Sequence, residues 1–251
     1  MTPTISVLLP VYNGQAYLRQ AIDSILNQSY QDFELVIVND GSSDGSVDVI
    51  SSYSDKRIVL INQENVGLPG ALNRAIEVAK GQYLARHDQD DVSLPMRFEE
   101  QLRLMQEKHL DFCGCNIVMM DEGGNLMQRV DMPNTSDLIT ITLACTVPFA
   151  HGSVMMRKAF LDRFALRYRQ GSATEDYELW CEAYRLGGHF GNVNKTLFHY
   201  RDFSSSLSKT TSTKMQAYTH QLRRHFVSAN TAAIKGAIDR LLPIQTQLAN
   251  R

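Results

Sequence analysis

Asp88, Asp90 and Asp91, three carboxylates in the four positions that end "ARHDQDD", follow directly on the apolar "YLA". Like charges this close repel unless a cation or a proton holds them, so the stretch requires a partner. One candidate is a divalent metal beside a nucleoside diphosphate. Mg²⁺ or Mn²⁺ accepts one or two protein carboxylates and takes its other ligands from phosphate and water. A second is aspartyl-phosphate chemistry, with Asp88 attacking a phosphate and Asp90 handling the proton, although such a nucleophile ordinarily follows the first strand of its domain. An EF-hand loop starting at Asp88 places Glu99 correctly, but it puts Ser93 where Gly is needed, and Pro95 and Met96 break the ligand series. A solvated turn or an acidic helix N-terminus explains Asp91 alone.

Two more stretches hold polar groups in a suggestive order. "GSSDG", residues 41–45, has the Gly-x-Ser-x-Gly pattern of a nucleophile elbow. Asp44 would stand beside Ser43 and oppose an oxyanion, and no HGGG-type loop precedes it. "SATEDYELWCEAY" reads as a helix start, with Ser172 and Glu175 in capping-box spacing and Tyr177, Trp180, Cys181 and Tyr184 as the apolar face. Glu175 and Asp176 there either favour the helix dipole or present a carboxylate base to a substrate. Neither a Walker A nor a GxGxxG motif occurs, which argues against P-loop and dinucleotide chemistry.

The elements that must position these groups are legible in the first half. "ISVLLP", "FELVIVND", "RIVLIN" and "QYLARH" are short runs rich in Val, Ile and Leu, and read as buried parallel strands. Between them "AYLRQAIDSILNQ", "SVDVISSY" and "LPGALNRAIEVAKG" carry apolar residues at helical spacing, with Gly81 placed to stop the last. This βαβαβαβ alternation predicts a doubly wound α/β sheet with right-handed crossovers. Tyr12, Asp40, Asn65 and Asp88 each follow a strand, so they meet at the carboxyl edge, where open α/β sheets bind ligands. "SLPMRFEEQLRLMQEKH" predicts a helix with Pro95 near its start, "DFCGCNIVMM" a strand, and Glu122 to Asn125 a turn. The boundary near residue 110 is soft, and the second half is expected to pack on the same sheet. "FSSSLSKTTST" is expected to be a mobile loop.

Bulk properties narrow the class. A chain of 251 residues with 43% hydrophobic and 21% charged residues fits one compact unit, and a net charge of −2 gives no general pull towards nucleic acid. Cys113 and Cys115 alternate along one strand and suit a buried thiol pair rather than a metal site, consistent with a reducing cytoplasm. The N-terminal apolar run is broken by Pro10 and is too short for a signal peptide or a membrane span. From Lys214 onward six Lys or Arg face the single Asp239. Met215, Tyr218, Leu222 and Phe226, flanking Arg223 and Arg224, predict a helix docked on the body, and attachment to an anionic membrane surface is the alternative.

Taken together, "SVLLPVYNG", "VIVNDGSSDGS", "NVGLPGALNRAI", "GQYLARHDQDD", "LPMRFEEQ" and "EDYELW" resemble glycosyltransferase family 2, inverting enzymes with a GT-A fold. The match runs over roughly residues 4 to 200. It implies a Rossmann-like, mostly parallel central sheet flanked by helices, with a C-terminal acceptor-side region. The expected division is 1–213 for the transferase domain, split into a nucleotide-binding half (1–110) and an acceptor-side half (111–213), with a helical tail at 214–251.

Carried over by residue, the resemblance implies that Pro10, Val11 and Tyr12 line a base pocket and that Asp40 accepts a hydrogen bond from uracil or thymine. It sets Asn65 and Arg86 near the nucleotide. Asp88 and Asp90 match the DxD motif, Asp90 as the direct ligand of Mn²⁺ or Mg²⁺ and Asp88 supporting ribose or metal. Asp176 matches the catalytic base, with Glu175 orienting the site. The implied partners are a UDP- or dTDP-sugar donor and a saccharide or lipid-linked glycan acceptor, and the implied location is the cytoplasm or the inner membrane face. One departure stands out: "YRDFSSSLS" has Phe203 where family members often carry a His near the diphosphate. His151 in "FAHGSVMMRK" matches a position often near donor or acceptor, and a structural histidine is an equal reading.

Overall fold

The computed structural model describes residues 2–172, 174–203 and 213–249, the last few without side-chain detail. Most of the Ser/Thr-rich stretch, 204–212, lies outside the described residues, as does the Met215 side chain.

The first half alternates as its apolar periodicity requires: β1 (Ile5–Val11), α1 (Gln15–Leu26), β2 (Phe33–Asp40), α2 (Ser46–Ser51), β3 (Ile58–Gln63), α3 (Leu68–Val78) and β4 (Tyr83–Arg86). These four strands are parallel, in the order β3-β2-β1-β4. The second half comprises β5 (Val92–Ser93), α4 (Arg97–Glu107), β6 (Phe112–Met120), β7 (Leu126–Val130), α5 (Ser136–Cys145), β8 (Met155–Arg157), α6 (Lys158–Arg163), α7 (Glu175–Arg185), β9 (Phe190–Arg201), α8 (Thr213–Ala229) and α9 (Thr231–Ala249). Its strands extend the same sheet: β8 lies antiparallel between β4 and β6, β9 runs parallel to β6, and β5 ends the row antiparallel to β9. The fold is a mixed α/β sheet clad by helices on both faces.

Alternation along the strands divides the core into two layers. Ile5, Val7, Leu9 and Val11 of β1 face α1 and α4, whereas Leu8 faces α3 and the cluster around Phe112, Phe149 and Trp180. Both layers take residues from both halves of the chain. Cys113 and Cys115 share one face, fully buried and unpaired, as their spacing predicts. The turn after Asp121 forms, with Gly124 at φ +87° closing the β6–β7 hairpin.

Three expectations are corrected. β3 is an edge strand, half-exposed with Val59 at the surface, because only β2 covers it on the ladder side. α3 ends at Val78, and Ala79 is already extended. Gly81 instead meets β1: a Cβ there would stand 2.5 Å from the Ser6 N, and its N–H donates to Ser6 Oγ. The capping box at Ser172 does not form. Thr174 occupies the N-cap of α7, and Ser172 Oγ accepts the Thr174 N–H. On α7 the buried face is Tyr177, Leu179, Trp180 and Ala183, with Cys181 and Tyr184 half-buried.

The basic tail is two helices rather than one. Phe226 of α8 is buried against Tyr184, Ala237 of α9 is buried, and Arg240 pairs with Asp137. Among the described residues no helix is long and apolar enough to cross a membrane.

Candidate active site

The path of the chain between β4 and β5 explains how "DQDD" is held. β4 and β5 are adjacent in sequence but β8, β6 and β9 separate them in the sheet, so residues 87–91 must cross the carboxyl end of the sheet. Arg201, at the end of β9, secures the crossing. Its N–H donates to Asp91 Oδ1 at 2.7 Å, its Nε to the Asp90 carbonyl at 2.8 Å, its Nη1 to the Asp121 and Glu122 carbonyls, and its Nη2 to Gln20 Oε1. The guanidinium lies 4.4 Å from the Tyr17 ring centroid. Phe203 also packs on Tyr17, at 5.4 Å between centroids, and so joins this apolar corner.

Within the crossing, Asp88 pairs with Arg86, whose side chain is 2% exposed and whose Nε has no hydrogen-bond partner among the described residues. Asp91 Oδ2 is likewise buried and unpartnered. A Cβ on Gly152 would lie 2.7 Å from Asp91 Oδ2, 2.9 Å from Asp88 Oδ2 and 3.0 Å from the Phe198 ring, so only glycine admits both carboxylates here. Burial pushes Asp90 above the ordinary carboxylate range, and burial together with Asp90 pushes Asp91 up to about 8. Beneath them Arg97, fully buried, donates to Gln101 Oε1, Ser93 Oγ and the Arg86 carbonyl and lies 4.9 Å from the Phe198 ring centroid. Burial lowers its pKa to about 10. His87 is buried and held well below its ordinary value by burial and by Arg97 and Arg86.

The remaining site residues come from neighbouring strand ends. Pro10 and Val11 are buried and Tyr12 is half-exposed. Asp40 is 2% exposed; Oδ1 accepts from Gln63 Nε2 at 2.7 Å and the Val66 N–H at 3.0 Å, and Oδ2 from the Gly67 N–H at 2.9 Å. Three of its roughly four acceptor positions are used, leaving one. Asn65 donates to the Asp40 carbonyl at 3.0 Å, so this loop is braced on the very residue assigned to the base. "GSSDG" is structural: Ser43 donates to Asn13 Oδ1, and Asp44 accepts from Ser46 and the Gln15 N–H, which anchors α2 against α1 and leaves Ser43 no nucleophile's geometry.

Glu175 and Asp176 open α7, with Asp176 Oδ1 accepting the Tyr177 N–H at 2.7 Å. Burial raises both carboxyls, and Arg86 opposes the shift in each. His151 accepts or donates at Tyr168 Oη, 2.9 Å away, and stacks edge-on to Trp180. Burial and Arg86 hold it well below its ordinary pKa, which favours the neutral ring. Pro10, Val11, Tyr12, Asp40, Asn65, Arg86, Asp88 and Asp90 thus stand at or just after the carboxyl ends of β1 to β4, and Glu175 and Asp176 open α7. Sequence reasoning missed Gln89, Arg97, Gly152 and Arg201; the only signals were a polar residue inside the acidic run and unpaired cations within apolar stretches.

No group of three or more His, Cys, Asp or Glu able to hold a metal occurs among the described residues. That donor set still fits Mg²⁺ or Mn²⁺ bound jointly with a diphosphate, which asks the protein for one or two carboxylates only. Asp90 and the Asp88 oxygen not paired with Arg86 could supply them.

Comparison with known proteins identifies the family and the fold. Residues 6–164 match Glycosyl transferase family 2. The O-antigen biosynthesis glycosyltransferase WbnJ of Escherichia coli is 32% identical over 228 residues, covering 87% of each chain. S. aureus TarS 1–349, solved in complex with UDP-GlcNAc, superposes with a TM-score of 0.70 at 19% identity, over 91% of this chain and 72% of that one. The mannosyltransferase PcManGT from Pyrobaculum calidifontis, solved with GDP-Man and Mn²⁺, gives 0.65 at 14% identity, over 100% and 81%. These two speak for the fold, and the family match with WbnJ speaks for the class: the chain is a glycosyltransferase of family 2 with a GT-A fold.

Proposed function

We propose that this glycosyltransferase is inverting and metal-dependent, and that it moves a sugar from a UDP- or dTDP-linked donor to a hydroxyl of a saccharide or lipid-linked glycan. The observation that carries the reading is the position of Arg86. This buried cation pairs with Asp88, and its charge partly offsets the burial that raises Asp90, Asp91, Glu175 and Asp176 alike. Both carboxylate pairs therefore lie within electrostatic range of one guanidinium, which supports a site that holds a diphosphate and a base together.

On the donor side, Pro10, Val11 and Tyr12 border the base, Asp40 offers its remaining acceptor position to an imide N–H, and Asn65 and Arg86 lie towards the ribose and diphosphate. A divalent ion held by Asp90 and Asp88 would supply positive charge beside the leaving diphosphate. On the acceptor side, Asp176 takes the proton of the attacking hydroxyl while that oxygen bonds the anomeric carbon and the bond to the diphosphate breaks. One displacement inverts that carbon. The raised pKa of Asp176 makes it a stronger base than an exposed aspartate, and Glu175 beside it orients the hydroxyl.

The nucleotide-sugar complexes of TarS and PcManGT support the donor class, and the O-antigen role in the name of WbnJ supports a polysaccharide acceptor. The reading places the enzyme in the cytoplasm, with α8 and α9 towards the inner membrane face. Family membership removes the support for an aspartyl-phosphate mechanism, and Asp88 is already paired with Arg86.

The test is calorimetric binding of UDP, dTDP, GDP and CMP with Mn²⁺, with Mg²⁺ and with chelator, repeated on Asp90→Ala. UDP or dTDP should bind in a metal-dependent way that the substitution abolishes. Preference for GDP would overturn the donor assignment, and equal binding in chelator would overturn the metal assignment.

A further inference from the structure

Gln89 stands between Asp88 and Asp90 but turns away from both. Its Oε1 accepts the Tyr12 N–H at 2.9 Å and its Nε2 donates to the Tyr12 carbonyl at 3.1 Å. A side-chain amide here reproduces a rung of a β-ladder. The backbone register of β1 with β4 ends at Leu8 opposite Arg86, followed by the His87 N–H on the Leu8 carbonyl. Gln89 thus ties the two exit loops together beyond the end of the sheet.

The neighbouring chain is shaped around this rung. A Cβ on Gly14 would lie 2.4 Å from Gln89 Oε1 and 2.6 Å from its Cδ, so any side chain at 14 would displace the amide. Asn13, at φ +50°, turns the backbone sharply after Tyr12, and Oδ1 of its side chain accepts the Ser43 N–H. Tyr12 is therefore held from the acidic crossing on one side and, through Asn13, from the "GSSDG" loop on the other.

We infer that Gln89 is a positioning residue that locks the segment 10–12 to the Asp88–Asp90 loop, so that the base end and the diphosphate end of the donor are bound as one rigid unit. The inference rests on the donor-site reading above. A nucleoside diphosphate with metal spans both loops, whereas a nucleoside monophosphate without metal depends chiefly on the first. Freeing the loops from each other adds an ordering cost that only the spanning ligand meets.

The experiment compares Gln89→Leu with the unaltered chain by calorimetry, using UDP with Mn²⁺ and UMP with chelator. Gln89→Met serves as a second variant, unbranched and likewise without amide donor or acceptor. Both variants should lose about tenfold in affinity for UDP with Mn²⁺, the scale of one or two hydrogen bonds, while UMP binding changes by less than about threefold. Hydrogen exchange at the Tyr12 amide should quicken in both. Equal losses for the two ligands would reduce Gln89 to a general structural role, and unchanged Tyr12 exchange would remove the rung itself; either overturns the inference. A failure of the unaltered chain to bind UDP is a different result, visible before any substitution, and sinks the donor-site reading together with this one.

Discussion

Burial, more than sequence neighbours, sets the chemistry of single residues here. Asp176 and Asp91 are both aspartates beside other acids, yet they meet different company. Asp91 gives one oxygen to the Arg201 N–H, keeps the other without a partner among the described residues and is pushed up to about 8 by burial and by Asp90. Asp176 is raised by burial, with Arg86 opposing. A base works only when deprotonated, so kcat/KM should fall as pH drops through the raised pKa of Asp176. That acid limb should lie above the ordinary aspartate value of about 4. A limb at or below that value would remove Asp176 from the role. Asp176→Asn keeps the acceptor for the Tyr177 N–H, so donor binding should stay within about threefold while turnover drops by about a hundredfold or more. Initial-rate kinetics beside calorimetry separates the two.

At the scale of elements, α7 is the one on which the proposed chemistry depends most, because it carries Glu175 and Asp176 at its first turn. Its seat is aromatic. Trp180 is fully buried, with ring centroids 5.5 Å from Phe112, 5.3 Å from Phe149 and 6.1 Å from His151. Tyr177, one turn earlier, donates to the Leu143 carbonyl. Trp180→Ala empties the largest fully buried side chain, and should cost about 3–5 kcal/mol of unfolding free energy in urea melts. Trp180→Phe keeps the packing and removes an indole N–H that has no partner among the described residues, so its loss should be the smaller by at least half. If the two substitutions cost the same, aromatic packing is not what seats α7.

Over the whole molecule, β4, β8 and β6 join the two halves through a continuous ladder, and each of the two core layers draws on both. The soft sequence boundary near residue 110 therefore has no counterpart as a break in the sheet. Trp180 is the sole tryptophan of the chain, so its fluorescence reports the second half alone, while far-ultraviolet circular dichroism reports every element. The two probes should give coincident urea transitions. A separate earlier transition in either would show that the halves unfold independently.

Residues with short-range causes were legible in the sequence. The strands at 5–11, 33–40 and 83–86, the helices between them and the buried pair Cys113 and Cys115 follow from apolar periodicity, because burial on one face repeats every two or 3.6 residues whatever the rest of the chain does. The strand-end positions of Tyr12, Asp40, Asn65 and Asp88 follow from parallel connection alone. The edge exposure of β3, the two-residue β5 and the three-residue β8 did not show, since a strand that short has no period and an edge is defined by the neighbour it lacks. Arg201, Gly152 and Gln89 lie beyond local reasoning for a stronger reason. Arg201 is more than a hundred residues from the loop it clamps, and Gly152 and Gln89 matter only for what they face across space. Sequence determined which groups exist and at which strand ends they stand; only the tertiary fold decided that Glu175 and Asp176 of α7 come within electrostatic range of the same Arg86 that pairs with Asp88.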